Sequence, residues 1–283
     1  MITGKTQNLG VIGWPIAHSL SPVLQNAAIA KAGIDYNYTA LPVEPEKLAE
    51  AVAGLKALHY RGWNVTIPHK TAIMPLLDEI DEDARIIGAV NTVVNDEGRL
   101  RGFNTDCLGF MGALVKRQVT IKDEKAVLLG AGGAARAVIW GLVKAGAKEV
   151  VLGVRNPAKA ESLAAEFSSY GRVTVCHWES EEFSQVLADC ALLVNTTPLG
   201  MTPKVDACPP VDWSKVNPSA VVYDIIYTPA ETVFLRQARE HGHMIINGEE
   251  MLAGQGAAAL QKWTGCEPDI EIMQEALRNA LEN

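Results

Sequence analysis

Val127-Leu128-Leu129 runs without a spacer into Gly130-Ala131-Gly132-Gly133-Ala134-Ala135, and a helix-forming stretch follows to Ala145. A short apolar strand, a glycine-rich turn and then a helix is the opening of a βαβ unit, and few other folds accommodate that order. The glycines let the backbone approach a ligand closely. The free N–H groups and the dipole at the helix start favour the negative charge of a pyrophosphate. A G-x-G-x-x-A match alone is weak; the strand before it and the helix after it supply the context it needs. The competing account is a glycine turn packed for steric reasons only.

The same alternation of strand and helix runs along the chain. A buried strand is expected at 9–13. Ser21-Pro22 then reads as an N-cap with proline at the first helical position, and the helix at 23–32 ends at Gly33. Strands at 36–42 and 62–67 and a helix at 46–58 follow. Strands alternating with helices imply parallel pairing in an α/β sheet. Residues 90–94 and 99–102 flank Asn95-Asp96-Glu97-Gly98 in a hairpin pattern, so the first sheet is expected to be mixed. A helix near 105–116 leads into a restart of the pattern, with strands at 127–129 and 149–154 and helices at 134–145 and 158–167. Further strand-like runs lie at 173–176, 192–195 and 221–225. From Gly248 onward there are two helices, separated near 265–268, that either cap the second domain or cross back to the first. The fold class is therefore α/β in two domains, an N-terminal mixed-sheet domain and a Rossmann-type domain for a dinucleotide.

Length and charge agree with this. A chain of 283 residues with 48% hydrophobic content holds two modest domains or one large one. With 33 acidic and 25 basic side chains the net charge is −8, which argues against nucleic acid or an anionic membrane as partner. Five scattered cysteines without a C-x-x-C suggest neither a zinc ribbon nor a disulfide framework and fit a reducing compartment. The N-terminus lacks a signal-peptide core and no apolar run reaches membrane-spanning length, so a soluble cytoplasmic protein is expected. Nothing in the residues separates a monomer from a homodimer.

The strand at 149–154 ends in Gly153-Val154-Arg155-Asn156-Pro157, with no acid for a ribose diol. Arg155 can instead meet a 2′-phosphate, which a carboxylate would repel, and this favours NADP over NAD. Otherwise Arg155 is an ordinary exposed side chain; Lys159 reads as part of a solvated helix face. Asn64-Val65-Thr66-Ile67-Pro68-His69-Lys70 places a lysine just past a short strand that Pro68, lacking an N–H, must end. Gly102-Phe103-Asn104-Thr105-Asp106 places an acid at another strand-to-helix corner. A lysine and an aspartate brought together beside a bound hydroxyl form a proton-transfer pair. The sequence does not fix which of the two gives the proton. Unassisted by such neighbours, they are a surface lysine and a helix-capping aspartate. His18 and His69 read as structural. His241 and His243 lack a third ligand, so no metal is expected. Trp14, Trp63, Trp140 and the methionines read as packing residues.

Taken together the segments resemble the shikimate dehydrogenase family over nearly the whole chain. The resemblance rests on Gly13-Trp14-Pro15-Ile16-Ala17-His18-Ser19-Leu20-Ser21-Pro22, on the Lys70 and Asp106 segments, on Gly88-Ala89-Val90-Asn91-Thr92 and on the glycine turn. It extends to Asn195-Thr196-Thr197-Pro198-Leu199-Gly200-Met201 and to Asn247-Gly248-Glu249-Glu250-Met251-Leu252 through Gln255. The resemblance implies NADP-dependent interconversion of 3-dehydroshikimate and shikimate, on the route to aromatic amino acids. It implies a substrate domain of residues 1–107 plus 250–283, with an NADP domain of 108–249 inserted. Ser19, Ser21, Thr66, Asn91 and Gln255 would bind the carboxylate and hydroxyls of shikimate, with Asn64 and Tyr227 lining the same site. Lys70 and Asp106 would be the catalytic pair. Gly130, Ala131, Gly132, Gly133, Ala134, Arg155, Asn156, Thr196 and Gly248 would meet NADP.

Ser19 and Ser21 alternate around Leu20 and would face one side of an extended segment, though capping stands level with ligand contact for Ser21. Where the family commonly has Asn-Arg-Thr, this chain has Val154-Arg155-Asn156, keeping the arginine and offering Asn156 in place of the threonine. Two other readings are a quinate or dual quinate/shikimate dehydrogenase using NAD or NADP, and a non-catalytic NADP-binding sensor. Two serines at 19 and 21 together with Arg155 lean toward shikimate with NADP. An intact Lys70 and Asp106 argue against the sensor.

Overall fold

The structure is a computed structural model and describes residues 2–281. The chain forms two compact units, one of Met1–Gly109 with Ala253–Asn283 and the other of Phe110–Leu252.

The first unit contains β1 (Gln7–Gly13), α1 (Ser21–Ala32), β2 (Tyr36–Pro42), α2 (Leu48–Ala57), β3 (Gly62–Val65), β4 (Glu79–Ile80), α3 (Glu82–Ile87), β5 (Thr92–Asp96) and β6 (Arg99–Phe103). Helix α4 (Asp106–Lys116) begins here and runs on into the second unit. The sheet order is β2-β1-β3-β5-β6-β4. β1 lies parallel to β2 and β3, while β5 is antiparallel to β3 and β6, so the sheet is mixed. The β5–β6 hairpin pairs Asp96 with Arg99 across Glu97 and Gly98. Both turn residues have positive φ, 51° and 90°, the backbone twist that suits a two-residue connection. One side of this sheet packs Ile12, Val52, Leu55, Trp63, Val65, Val90 and Val93 into a common core.

The second unit contains β7 (Lys125–Leu129), α5 (Gly133–Lys144), β8 (Glu149–Val154), α6 (Pro157–Phe167), β9 (Val173–His177), α7 (Glu181–Ala188), β10 (Leu192–Asn195), β11 (Val221–Asp224), α8 (Val233–Glu240) and β12 (Ile245–Ile246). All strands are parallel, in the order β12-β11-β10-β7-β8-β9. Parallel strands need crossover connections, and the central ones are buried on both faces. That is why β7, β8 and β10 carry uninterrupted apolar runs instead of alternation.

Helix α9 (Gly248–Thr264) starts in the second unit, and from Ala253 onward it and α10 (Ile270–Leu281) belong to the first. The question left open by the sequence is thus answered: the last helices return to the first unit. Met273, Gln274 and Leu277 give α10 a buried face, and α10 packs along α1. Gln25 on α1 donates from Nε2 to Gly256 O at 2.9 Å, and Trp263 donates from Nε1 to Val93 O at 2.8 Å.

Some expectations require correction. β3 stops at Val65 and not at 67, because a turn closed by His69 N–H to Thr66 O begins there. The helix expected at 46–58 opens as a 3₁₀ turn, Pro45–Lys47, before α2 proper. Trp14 is 43% exposed and Met201 and Met244 are likewise exposed, so these three are not core residues; Trp63 and Trp140 are buried. Among the described residues no helix is long and apolar enough to cross a membrane.

Candidate active site

In the first unit the polar residues gather at the ends of β3, β5 and β6. Lys70 follows the turn after β3, where its carbonyl accepts the N–H of Val90 at 2.8 Å. Asp106 is the first residue of α4, a position where the helix dipole suits a negative side chain. Lys70 Nζ donates to Asp106 Oδ2 at 2.6 Å, and the two side chains are 30% and 15% exposed. This pair is shielded yet open enough for a ligand to reach. Asn91 Nδ2 donates to the other carboxylate oxygen, Oδ1, at 2.8 Å. Asn91 Oδ1 in turn accepts from Thr105 N at 2.8 Å and from Thr92 Oγ1 at 2.9 Å.

The bonding continues inward. Asn64 Nδ2 donates to Asn91 O at 3.0 Å and to Thr92 Oγ1 at 3.1 Å. Asn64 Oδ1 accepts from the hydroxyl of Tyr38 at 2.7 Å. Burial holds the Tyr38 phenol well above its usual pKa, a push opposed by a hydrogen bond from Ser21. An unbroken chain of hydrogen bonds therefore runs from Lys70 through Asp106, Asn91, Thr92 and Asn64 to Tyr38. Charge-assisted and buried bonds of this kind fix side-chain directions, since any member left unpaired would carry a desolvation cost.

Ser21 is not the N-cap. It is the first helical residue, Leu20 flanks the helix, and no side chain caps it. Ser19 Oγ accepts the N–H of Ser21 at 3.3 Å, so the local turn bond falls to Ser19 instead. Thr66 stands just past β3, and Gln255 is buried on α9 within the same unit. Tyr227 lies in the second unit, half-buried, with its phenol pKa raised by burial. Tyr38, Thr92 and Thr105 are members of the bonded chain that sequence reasoning did not single out as site residues. A tyrosine in a strand reads as core, and nothing in its spacing shows where its hydroxyl goes. His69 is buried with Nε2 2.8 Å from Val43 O, a structural role, and His18 is exposed. Among the described residues no group of three or more His, Cys, Asp or Glu is placed to hold a metal.

In the second unit β7 pairs with β8 on one side and β10 on the other. The chain order reverses between β7 and β10, and parallel sheets bind ligands at such switch points. The loops after these two strands meet there. Gly130 has φ +103°, and a Cβ on it would stand 2.7 Å from Thr197 Cγ2. Only glycine therefore satisfies both the backbone angle and the spacing. Thr196 Oγ1 donates to Leu129 O at 2.9 Å, tying the β10 loop to the end of β7. Ala131 and Ala134 are half-buried, Gly132 and Gly133 are exposed, and the first turn of α5 holds no acidic residue. Exposed N–H groups at an uncontested helix start can receive a pyrophosphate. Arg155 and Asn156 are exposed at the end of the neighbouring strand β8. Gly248 opens α9, its N–H donating to Ile226 O at 2.9 Å.

Below the β10 loop lies a second buried network. Asp224, 0% exposed, accepts from Asn195 Nδ2, Thr232 Oγ1 and Ile226 N. Asn195 Oδ1 takes the N–H and hydroxyl of Thr197 at 3.0 and 2.7 Å. Burial raises the Asp224 carboxyl to about 6, against the lowering effect of these bonds.

Comparison with known proteins agrees with this layout. Three family models match in chain order: the shikimate dehydrogenase substrate binding domain over residues 11–93, shikimate / quinate 5-dehydrogenase over 113–198, and the shikimate 5'-dehydrogenase C-terminal domain over 248–278. A shikimate dehydrogenase (NADP(+)) of Carboxydothermus hydrogenoformans is 44% identical over 277 residues, spanning 98% of both chains. The crystal structure of shikimate 5-dehydrogenase from Listeria monocytogenes, in complex with shikimate and NAD, superposes with a TM-score of 0.93 at 37% identity over 98% of each chain. That of Thermus thermophilus, in complex with NADP(H) and shikimate, gives 0.88 at 38% identity, covering 98% of this chain and 100% of the other. Motif order, fold and end-to-end identity thus converge, and the chain belongs to the shikimate dehydrogenase family.

Proposed function

We propose that this protein is an NADP-dependent shikimate dehydrogenase, reducing 3-dehydroshikimate reversibly to shikimate. The observation that carries the reading is the Lys70–Asp106 bond of 2.6 Å, anchored by Asn91 and set among hydroxyl and amide side chains. A polyol substrate needs such a lining, because every ring oxygen taken from water must find a partner.

NADPH, when bound, supplies the hydride for the C3 carbonyl carbon. The oxygen then gains a proton, and the Lys70–Asp106 pair delivers it. The Lys70 ammonium opposes the charge that develops on that oxygen. Asp106 balances the ammonium and holds its direction, and Asn91 holds Asp106. In the oxidation the same pair takes the proton back. Ser19, Ser21, Asn64, Thr66, Asn91, Tyr227 and Gln255 bind the carboxylate and hydroxyls. Gly130 to Ala134 would receive the pyrophosphate, and Thr196 and Gly248 would also hold the cofactor. Arg155 and Asn156 meet the 2′-phosphate. The missing acid at the end of β8, the exposed glycines and a first turn of α5 without an acid all suit that cofactor.

Residues 1–107 with 250–283 form the substrate domain and 108–249 the NADP domain. The division into compact units, at 109 and 252, supports this assignment. A cytoplasmic location and a monomeric or homodimeric state complete the reading.

The deciding experiment follows NADPH absorbance with 3-dehydroshikimate, beside NADH and beside quinate with either oxidised cofactor. Turnover of 3-dehydroshikimate with NADPH well above all other combinations is expected. Preference for quinate or NADH would move the protein within its family. Cofactor binding without turnover of any of these polyols would remove the catalytic assignment.

A further inference from the structure

The hydrogen bonds around Asn64 fix more than its position. An amide nitrogen has two hydrogens, and both are spent inside the protein, on Asn91 O and Thr92 Oγ1. A backbone carbonyl only accepts, so the amide cannot be turned over without placing oxygen against oxygen. Asn64 Oδ1 takes the Tyr38 hydroxyl, and one lone pair remains. Tyr38 is itself clamped. Its N–H donates to Asn26 Oδ1 at 3.0 Å, its carbonyl accepts from Asn26 Nδ2 at 2.8 Å, and its ring lies 6.0 Å from that of Trp263. The hydroxyl is the one part of the side chain engaged with Asn64.

We propose that Tyr38 is a positioning residue for substrate selection: Asn91 and Thr92 lock the polarity of Asn64 and Tyr38 holds its oxygen in place, so that Asn64 meets the ligand only as an acceptor and selects a hydroxyl there. The inference rests on the shikimate reading of this site and deepens it. A ring hydroxyl donates to the free lone pair. A group that only accepts, such as fluorine, an ether or a ketone oxygen, sets lone pair against lone pair and is rejected. Tyr38 stands away from the proton-transfer pair in the bonded chain, so its loss acts on binding more than on chemistry.

The test is steady-state kinetics of Tyr38→Phe, which deletes one oxygen and leaves the ring and the Asn26 clamp. The KM for shikimate is expected to rise about tenfold, the scale of one buried hydrogen bond, with kcat within about threefold and the KM for NADP within about twofold. A shikimate KM unchanged from wild type overturns the proposal, as does a fall in kcat with both KM values moving together, the pattern of a merely structural role. A measurement on the wild type stands apart from the folding of any variant: inhibition by shikimate analogues carrying fluorine in place of one ring hydroxyl at a time. At least one is expected to bind tenfold or more weakly than shikimate. Equal affinity for all of them overturns the proposal. If wild-type enzyme fails to turn over shikimate, the functional reading falls and this inference with it; normal wild-type turnover with an indifferent variant removes this inference alone.

Discussion

Lys70 reaches a single carboxylate, and that carboxylate is held from its other side by Asn91. On the proposed mechanism, removing the ammonium leaves the substrate's binding groups in place but takes away charge stabilisation as the alkoxide forms. Lys70→Ala should therefore lower kcat by at least about 10²-fold with little change in KM; near-wild-type turnover would remove Lys70 from the mechanism. Asp224 presents a different problem. It is buried without a cation among its bonding partners, and its carboxyl rises from the usual 3.8 to about 6. Between these values the folded chain binds more protons than the unfolded one. The stabilisation is thus full below the lower value and is lost as pH rises through the upper one, by roughly 3 kcal/mol. Urea unfolding at pH 4 to 7 should show this decline in wild type relative to Asp224→Asn, whose amide does not titrate. Parallel curves for the two proteins would refute it. The pairing of Lys70 with Asp106 was legible because each sits in a short motif at a strand end, while Asn91 entered only through the family resemblance. Tyr38 and Asp224 were not, because a buried partner is a property of three-dimensional neighbours and leaves no spacing to read.

At the scale of elements, β3 and α9 meet at one point that leaves no slack. A Cβ on Gly62 would stand 2.1 Å from Trp263 Nε1 and 2.4 Å from Val93 O, the two atoms joined by the indole hydrogen bond. Neither the strand carbonyl nor a fully buried indole can yield. Gly62→Ala should cost about 3 kcal/mol or more, seen as a lower midpoint in chemical unfolding; a loss under about 0.5 kcal/mol would show that α9 shifts freely. The long apolar runs of β7, β8 and β10 and the glycine turn made the second sheet readable from sequence, since period and punctuation agree there. The short helices α3, α7 and α8 went unread. With six to eight residues each they offer little more than two turns at most, too little for a helical period to emerge. Ser21 was misread for a related reason: Ser-Pro marks a helix start, but the one-residue offset between cap and first turn is decided by geometry.

The whole molecule has one continuous unit and one in two pieces. The first sheet's helix α1 buries Leu24, Gln25 and Ala28 beside residues that arrive more than two hundred positions later, Gly256 and the α10 face among them. Residues 1–109 made alone should therefore melt without a cooperative transition by circular dichroism, since that apolar face and the seat of Trp263 stay open. A melt as sharp as that of the full chain would show the late helices to be dispensable. The family resemblance implied a return of the C-terminal helices, while hydrophobic pattern alone left them able to go either way.

That discontinuity also sets an order of events at the ribosome. Once β1 to β6 have emerged, roughly 140 residues of the second unit must be translated before the first residue of the returning segment appears. At about 5–20 residues per second this is a wait of roughly 7–30 s. Through it the nascent sheet waits with a face uncovered, a stretch of time in which chaperone capture has its opening.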